Sequence, residues 1–237
     1  MTNDEPTMLF VHGAFHGSWV WSELFKQLSV PGWKLQTVDL PSVIADGGAR
    51  PDLFDDAQMI RRVLESIDGP VVAIAHSYGG IPLTQAAAGM PNVRHLVYPC
   101  AFQLDVGESL LGYVGGPPDW WIVEDASVFP DRQVETFYGD VAPDIAAWAA
   151  RRLRRSTYAS KTQQLTAAAW HDIPSTYLIC ENDVAMPPAL QEEMARRATN
   201  VHRLACSHSP MLSRVPELAA IITDIAMQVN DRSAASN

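Results

Sequence analysis

Three residues of types that cooperate in nucleophilic catalysis each come shortly after a short apolar run of the sequence: Ser77, Asp183 and His208. A serine hydroxyl is a weak nucleophile until a base removes its proton, and a histidine provides such a base near neutral pH. A carboxylate holds the histidine in the required tautomer and stabilises the imidazolium that forms. The sequence therefore predicts Ser77 as a nucleophile, His208 as its base and Asp183 as the residue that orients the base.

The residues around Ser77 predict a strand, a sharp turn and a helix. The apolar run 71–74 is typical of a strand buried on both faces of a parallel sheet. The following turn is close to the G-x-S-x-G pattern that projects a serine hydroxyl at the end of a strand. Gly79 is one of the two small residues that this tight turn requires, and Ala75 replaces the other glycine with one added methyl group. The structural alternative is an ordinary strand–turn–helix segment with an idle serine.

Other acids and histidines compete for these roles. Asp105 is a rival to Asp183, because it follows the strand after the one that leads to the serine. His76 is adjacent to the serine, but adjacent side chains on a tight turn rarely face each other, so we do not expect it to be the base. His12 and His16 could form a metal pair, yet neither a carboxylate nor a cysteine accompanies them. We therefore expect no metal and no other cofactor.

Backbone N–H groups are needed to stabilise the oxyanion that forms when a serine attacks a carbonyl. The N–H of Tyr78, at the start of the helix after the serine, is one candidate, and that of Ala14 is the second, because its loop is rich in glycine and histidine and follows the first strand. Residues that flank these motifs or lie in an insertion are expected to line the substrate pocket: Phe15, His16, Trp120, Trp121, Met186 and Met211. For the two tryptophans, the alternative is a purely structural core of the insertion.

The elements that position these residues are predicted by alternating strand and helix patterns. The predicted strands cover residues 7–11, 35–40, 71–74, 93–98, 176–180 and 201–204. Alternation of this kind predicts an α/β fold with a mostly parallel sheet of about six strands and helices on both faces. Right-handed crossovers place the carboxyl end of every strand at one edge of the sheet, where ligands bind. His12 and the three predicted catalytic residues would meet at that edge.

The alternating pattern breaks between residues 100 and 169, where the sequence shows no clear strand and one helical run over 143–155. We predict that 100–169 is an inserted, mostly helical cap on a core formed by 1–99 and 170–237. The four arginines between positions 151 and 155 lie at the end of the helical run, where cations are favoured. An anion-binding patch is the functional alternative for these arginines.

The composition excludes several classes of protein. A chain of 237 residues with 47% hydrophobic residues fits one α/β domain with an insertion. A net charge of −10 argues against a phosphate-binding surface and thus against a nucleic-acid partner. Cys100, Cys180 and Cys206 have the spacing of neither a disulfide framework nor a zinc site. The acidic, polar first residues and the lack of a long apolar stretch predict a cytoplasmic protein without a membrane partner. The sequence is also compatible with a homodimer.

These motifs resemble one branch of the α/β-hydrolases, which holds plant methyl-ester esterases of the methyl salicylate esterase type, plant hydroxynitrile lyases and bacterial relatives such as pyrethroid hydrolases. Residues 12–19 (HGAFHGSW) resemble its H-G-x-x-H-G-x-W segment, and residues 76–80 (HSYGG) resemble its H-S-x-G-G turn. Residues 179–187 are similar to its acid loop, and residues 208–213 (HSPMLS) to its H-x-P-M-L-S segment. The resemblance implies the α/β-hydrolase fold, a Ser77–His208–Asp183 triad, and Ala14 and Tyr78 as oxyanion donors.

The resemblance also separates two chemistries. The lyases of this branch carry a threonine after the first histidine and a lysine after the catalytic one, whereas this sequence has Gly13 and Ser209. The implied function is a serine hydrolase, a carboxylesterase that cleaves a small, mainly apolar ester through an acyl-enzyme on Ser77. The alternatives are a cofactor-free lyase or cyclase that uses the same histidine base, and a ligand receptor with little turnover. Ala75 and Ser207, which stand where a glycine and an aspartate are common, depart from the pattern without removing a catalytic group.

Overall fold

The computed structural model describes residues 5–28, 33–44 and 50–235 of the chain. Its helices and strands follow one another in this order: β1 (Thr7–Val11), α1 (Ser22–Leu28), β2 (Lys34–Val38), β3 (Val43–Ile44), α2 (Leu53–Glu65), β4 (Val71–Ala75), α3 (Gly80–Ala86), β5 (Val93–Pro99), α4 (Leu110–Val114), β6 (Trp121–Glu124), β7 (Ser127–Pro130), α5 (Gln133–Phe137), α6 (Pro143–Ala150), β8 (Arg155–Thr157), α7 (Ala159–Thr162), β9 (Ser175–Cys180), α8 (Pro188–Ala195), β10 (Asn200–Leu204), α9 (Pro210–Ser213) and α10 (Val215–Ala235). Short 3₁₀ turns cover Ser18–Trp21, Ser77–Gly79 and Ala169–His171.

Six strands form the main sheet in the order β10-β9-β5-β4-β1-β2, and every neighbouring pair is parallel. All residues of β1 and β4 are buried, as expected for central strands of a parallel sheet that is covered on both faces. The two strands end in register, with Val11 opposite Ala75. The predicted six-stranded parallel sheet is thus confirmed, and the loops after β1 and β4 leave it side by side.

Helices cover both faces of this sheet, as predicted. Neighbouring residues of a strand point to opposite faces, and those of β1 divide between two hydrophobic clusters: Leu9 and Val11 belong to one, Met8 and Phe10 to the other. The first cluster is completed by α2, α3 and α8, and the second by α1, α9 and α10. Among the described helices, none combines the length and the hydropathy needed to cross a bilayer.

The segment 100–169 differs from the prediction of a mostly helical cap. Its strands β6, β7 and β8 form a second, antiparallel sheet together with β3, in the order β3-β8-β7-β6. The helices α4 to α7 are short, and α6 ends at Ala150 although the helical run was predicted to reach 155. The cap is therefore a mixed structure, and the prediction that it contains no clear strand is wrong.

The strands of the cap escaped prediction because they are three or four residues long and lack a regular alternation. In β6, Ile122 and Val123 are both exposed, so consecutive apolar residues do not mark a buried face. The remaining strand, β3, has two residues, Val43 and Ile44, and positions 45–49 after it lie outside the described residues. The division of the chain at residues 99/100 and 169/170 stays a prediction.

Candidate active site

Ser77 stands on the sharp turn between β4 and α3 with a φ of 53°, in the left-handed region that non-glycine residues rarely adopt. The turn fits only because two glycines follow. A Cβ on Gly79 would lie 2.4 Å from the carbonyl oxygen of His12, and one on Gly80 would lie 2.5 Å from that of Phe102. Ala75 is fully buried at the end of β4, so the fold accommodates its methyl group. The strained turn holds the serine at the carboxyl edge of the sheet.

Ser77, His208 and Asp183 form a continuous line of contacts. The Oγ of Ser77 lies 3.0 Å from Nε2 of His208, and Nδ1 of the same ring lies 2.7 Å from Oδ2 of Asp183. His208 and Asp183 are buried, at 2% and 3% exposure. Because the carboxylate accepts the proton on Nδ1, Nε2 carries the lone pair that faces the serine hydroxyl. This arrangement can take a proton from Ser77 and return it to a leaving group.

The carboxylate of Asp183 is itself held by the loop that follows β9. Its Oδ1 accepts hydrogen bonds from the backbone N–H groups of Ala185 and Met186, at 2.9 and 3.0 Å. Its Oδ2 accepts a further bond, 3.1 Å long, from the side-chain amide of Gln191 on α8. That amide also bonds the backbone N–H of Cys180 and the carbonyl of Met186. Gln191 thus ties the acid loop to the end of β9.

The rival acid, Asp105, is placed elsewhere. Its Oδ1 lies 2.8 Å from Nε2 of the half-exposed His171 and accepts a bond from the backbone of Val106. Asp183, and not Asp105, is therefore the carboxylate that contacts His208.

The two predicted oxyanion donors, the backbone N–H groups of Ala14 and Tyr78, belong to residues that line the same cavity as Ser77. Tyr78 is the second residue of the 3₁₀ turn, whose first hydrogen bond runs from Gly79 N–H to the His76 carbonyl at 2.9 Å. The N–H of Tyr78 therefore has no acceptor within its own turn, as is general for the first residues of a helix. Ala14 follows Gly13, where a Cβ would lie 2.9 Å from Cβ of Ser77. Ala14 and Tyr78 both line the cavity that Ser77 and His208 line.

Two neutral histidines stabilise the loop after β1. His12 contacts the Gly13 carbonyl through Nδ1 at 2.8 Å and accepts the backbone N–H of Leu40 at Nε2. His16 contacts the carbonyl of Ala14 through Nδ1 at 2.7 Å and the hydroxyl of Tyr138 through Nε2 at 2.8 Å. Burial lowers the pKa of His16 to about 3 and lowers that of His12 as well. Both rings are thereby occupied by loop contacts, and neither presents a free nitrogen to a shared metal.

His76 contacts the segment that carries His208. Its Nε2 donates to the carbonyl oxygen of His208 at 2.8 Å, and the two rings are 4.6 Å apart. Among the described residues, His76, Cys100 and His208 bring potential metal ligands within 4.8 Å of one another. Both nitrogens of His208 already face Asp183 and Ser77, so a metal at this point would break the line of contacts from Ser77 to Asp183.

A cavity of about 500 Å³ opens above Ser77 between the core and the cap. Five of the six predicted pocket residues line it: Phe15, His16, Trp120, Trp121 and Met186. Met211 does not, because α9 directs it into the second hydrophobic cluster, where it is fully buried. The prediction of Met211 as a pocket residue is wrong on this geometry, since proximity to His208 in sequence does not place a side chain in the cavity.

Sequence reasoning missed Phe137, which lines the cavity with its ring 5.6 Å from that of His208 and 5.3 Å from that of Trp120. It also missed Gln191 and Asp140. The carboxylate of Asp140 accepts the hydroxyl of Ser207, the residue before His208. Asp140 lies in the cap, and Ser207 stands where the related branch commonly has an aspartate. None of these residues belongs to a motif, so only a three-dimensional arrangement reveals them.

Comparison with known proteins identifies relatives of this chain and its family. Alpha/beta hydrolase nvfD of Aspergillus novofumigatus (strain IBT 16806) is 28% identical over 94% of this chain and 97% of its own length. Methylesterase 7 of Arabidopsis thaliana is 26% identical over the same shares of the two chains. A crystal structure of a pyrethroid hydrolase from Sphingobium faniae JZ-2 has a TM-score of 0.82 at 23% identity, covering 93% of this chain and 97% of that one. The predicted resemblance to this branch is confirmed. Residues 8–221 match the Alpha/beta hydrolase family, and the chain belongs to that family.

Proposed function

We propose that the protein is a carboxylesterase that cleaves a small, mainly apolar ester through an acyl-enzyme on Ser77. The observation that carries this proposal is the line of contacts from Ser77 through His208 to Asp183 beneath an apolar cavity. The similarity of the chain to proteins named as a hydrolase and a methylesterase supports the same reaction class.

In the first half of the reaction, Ser77 Oγ attacks the ester carbonyl carbon while His208 Nε2 takes the hydroxyl proton. The carbonyl oxygen becomes an oxyanion that the N–H groups of Ala14 and Tyr78 receive. When the tetrahedral intermediate collapses, the bond to the alcohol oxygen breaks and His208 returns the proton to the leaving alcohol. The acyl group remains on Ser77, and Asp183 stabilises the transient imidazolium throughout.

In the second half, His208 takes a proton from a water molecule, whose oxygen attacks the acyl carbon. The same two N–H groups receive the second oxyanion. Collapse of this intermediate breaks the acyl–serine bond and His208 gives the proton back to Ser77. The products are a carboxylic acid and an alcohol, and each step uses only groups of the protein and the water that is consumed.

The cavity supports a small, uncharged substrate. Its volume lies in the range that binds small ligands, and the rings of Trp120 and Trp121 each lie 6.4 Å from that of Phe15. Among the described lining residues none is a lysine or an arginine, and Asp119 is the one carboxylate. This environment favours an apolar acyl or alcohol group over an anionic one.

The test is hydrolysis of a p-nitrophenyl ester series by the native protein, by Ser77→Ala and by the control Ser66→Ala, which changes an exposed serine after α2. We expect turnover by the native protein and the control only, and an acyl mass adduct on Ser77 after rapid quenching. Equal turnover in native protein and Ser77→Ala would show that the nucleophile is wrong.

The alternatives give different results in the same experiment. A lyase or cyclase would depend on His208 without forming an acyl-serine, and a receptor would bind ligand with negligible turnover by a folded native protein. The described cavity lining contains no lysine or arginine, so no positive side chain there would stabilise a cyanide leaving group. A homodimer and a cytoplasmic location stay predictions, which sedimentation of the purified protein and cell fractionation would test.

A further inference from the structure

One lysine of this protein is fully buried. The sequence contains three lysines, of which Lys26 and Lys34 are exposed and Lys161 has 0% exposure. Burial of an ammonium is costly unless each of its protons finds a partner. The esterase mechanism described above does not use Lys161, so its position requires a separate explanation.

The surroundings of Lys161 suit an ammonium. Its Nζ donates to the hydroxyls of Ser156 and Ser160, at 2.8 and 2.9 Å. The same nitrogen lies 3.4 Å from the centroid of the Tyr78 ring. An ammonium has three N–H donors, and the face of an aromatic ring attracts a cation. Two hydroxyls and one ring therefore satisfy the three protons of Lys161.

A buried carboxyl group, that of Asp56, contacts the hydroxyl of the same tyrosine. The hydroxyl of Tyr78 donates to Oδ2 of Asp56 at 2.6 Å, and Oδ1 of Asp56 accepts the backbone N–H of Ser42 at 2.7 Å. Asp56 is fully buried on α2. The ring of Tyr78 thus contacts the Lys161 nitrogen through its face and the Asp56 carboxyl group through its hydroxyl, while burial raises the pKa of Asp56.

The cap holds Lys161 in place through two attachments to the core. Strand β8 pairs with β3, and the N–H of Thr157 donates to the Ser42 carbonyl at 2.9 Å. After α7, the side chain of Gln163 bonds both the N–H of Leu53 and the carboxylate of Asp52, at 2.8 and 2.7 Å. The lysine therefore lies on a segment that is tied to the core at both ends.

We propose that Lys161 is a positioning residue of the active site: its ammonium, anchored by the cap, clamps the Tyr78 ring and so aims the Tyr78 backbone N–H at the oxyanion. Tyr78 directly follows Ser77, and a shift of its ring shifts the peptide that carries this donor. This role rests on the proposed function, because only a reaction through an oxyanion uses the donor.

The role has a pH dependence that a passive core residue would lack. The titratable groups that face Lys161 are Asp56 on α2, Tyr78 after β4 and His12 at the end of β1. Burial lowers the pKa of Lys161 to about 7, with the charge of Asp56 opposing the shift. Burial raises the pKa of Tyr78 well above its ordinary value, so the tyrosine stays neutral. Loss of the lysine proton above neutrality is then expected to loosen the clamp and lower kcat.

The experiment compares native protein with Lys161→Met, which keeps the length of the side chain and removes the charge. We expect kcat for p-nitrophenyl acetate to fall about 10-fold or more, because a displaced oxyanion donor weakens the transition state, while KM changes by less than about two-fold. The native profile of kcat against pH should decline on the alkaline side, and the variant should lack that decline. Lys34→Met, on an exposed edge strand, is the matched control and should behave like native protein.

A second variant, Lys161→Arg, tests the positioning role of Lys161 if Lys161→Met does not fold. A guanidinium keeps its proton over the whole pH range, so this variant should retain kcat and lose the alkaline decline. An unchanged kcat in folded Lys161→Met, a change in KM alone, or an alkaline decline that persists in Lys161→Arg would overturn the proposal. The rate at which a fluorophosphonate labels Ser77 separates the two hypotheses: an unlabelled native protein overturns the esterase mechanism and the clamp together, whereas equal labelling of native protein and Lys161→Met overturns the clamp alone.

Discussion

At the scale of the residue, two of the six non-glycine residues with positive φ in the described chain lie beside the proposed chemistry. Ser77 and Phe15 both have positive φ values, of 53° and 67°, and both line the cavity. Phe15 is held by its carbonyl, which accepts the N–H of Arg154 at 2.9 Å. Residues in such conformations persist only when their surroundings hold them there. The strain at these two positions thus reflects how firmly the cap and the sheet together define the site.

Gln191 is expected to act on catalysis mainly through Asp183, whose carboxylate accepts its side-chain amide. In Gln191→Leu, Asp183 loses one hydrogen bond, the Cys180 N–H loses its acceptor and the Met186 carbonyl loses its donor. We expect kcat to fall about 10-fold with KM nearly unchanged, since no lining residue is altered. Stability should fall by roughly 1–3 kcal/mol, the usual cost of leaving buried polar groups unpaired. Steady-state kinetics and urea unfolding measure both.

The control for this prediction is Gln58→Leu, which changes an exposed glutamine on α2 and should leave both quantities as they are. If Gln191→Leu raises KM and spares kcat, the amide does not orient the acid.

At the scale of the element, the buried strands were predictable and the cap strands were not. Runs such as that of β4 are apolar throughout because the sheet covers both of their faces. Strand β6 has a half-buried Trp121 followed by exposed Ile122 and Val123, which gives neither a continuous run nor an alternation. Short strands at a surface are specified by their partners in space, and sequence patterns do not record those partners.

The same short strand carries a prediction about substrate choice. In Trp121→Ala, the cavity loses a ring that lies 6.4 Å from Phe15. We expect kcat/KM for the longest acyl chain that native protein accepts to change by about 10-fold relative to the acetate, equivalent to ~1.4 kcal/mol of apolar contact. The measurement is the ratio of kcat/KM values across the p-nitrophenyl ester series.

Trp148→Ala is the matched control for the cap, because Trp148 packs on Trp19 and Arg152 and does not line the cavity. An unchanged ratio in folded Trp121→Ala would mean that this tryptophan is only part of the cap core.

At the scale of the whole molecule, the sheet topology explains why much of the candidate site could be predicted from the sequence. Parallel strands with one handedness of crossover bring the ends of β1, β4, β9 and β10 to one edge, so motif residues after those strands must meet. The group formed by Asp56, Tyr78 and Lys161 could not be found this way. Its members come from a helix, a turn and the cap, and no spacing in the sequence relates them.

Lys161 is also expected to make the free energy of unfolding depend on pH. Its pKa is lowered to about 7 in the native protein, so between that pH and the ordinary lysine pKa of about 10.4 the unfolded chain binds a proton that the native chain does not. The free energy of unfolding of native protein, minus that of Lys161→Met, should therefore rise as the pH increases through this window. Urea unfolding of both proteins at several pH values measures the difference.

A difference that falls with increasing pH would show instead that the hydroxyls, the ring and Asp56 stabilise the ammonium more than burial penalises it. The same titrations with Lys34→Met should give a constant difference, because that side chain is exposed.

The pairing of β8 with β3 has a consequence for protein engineering. Caps of this kind are attractive units to exchange between relatives when a new specificity is wanted. Here a cap cut out as residues 100–169 and transplanted into a relative would leave Ser42, Val43 and Asp56 behind in the donor core, although the cap contacts them directly or through Tyr78. A chimaera built with those three positions carried along should keep its turnover number, whereas one cut at the chain boundaries alone should bind its new ester and turn it over slowly.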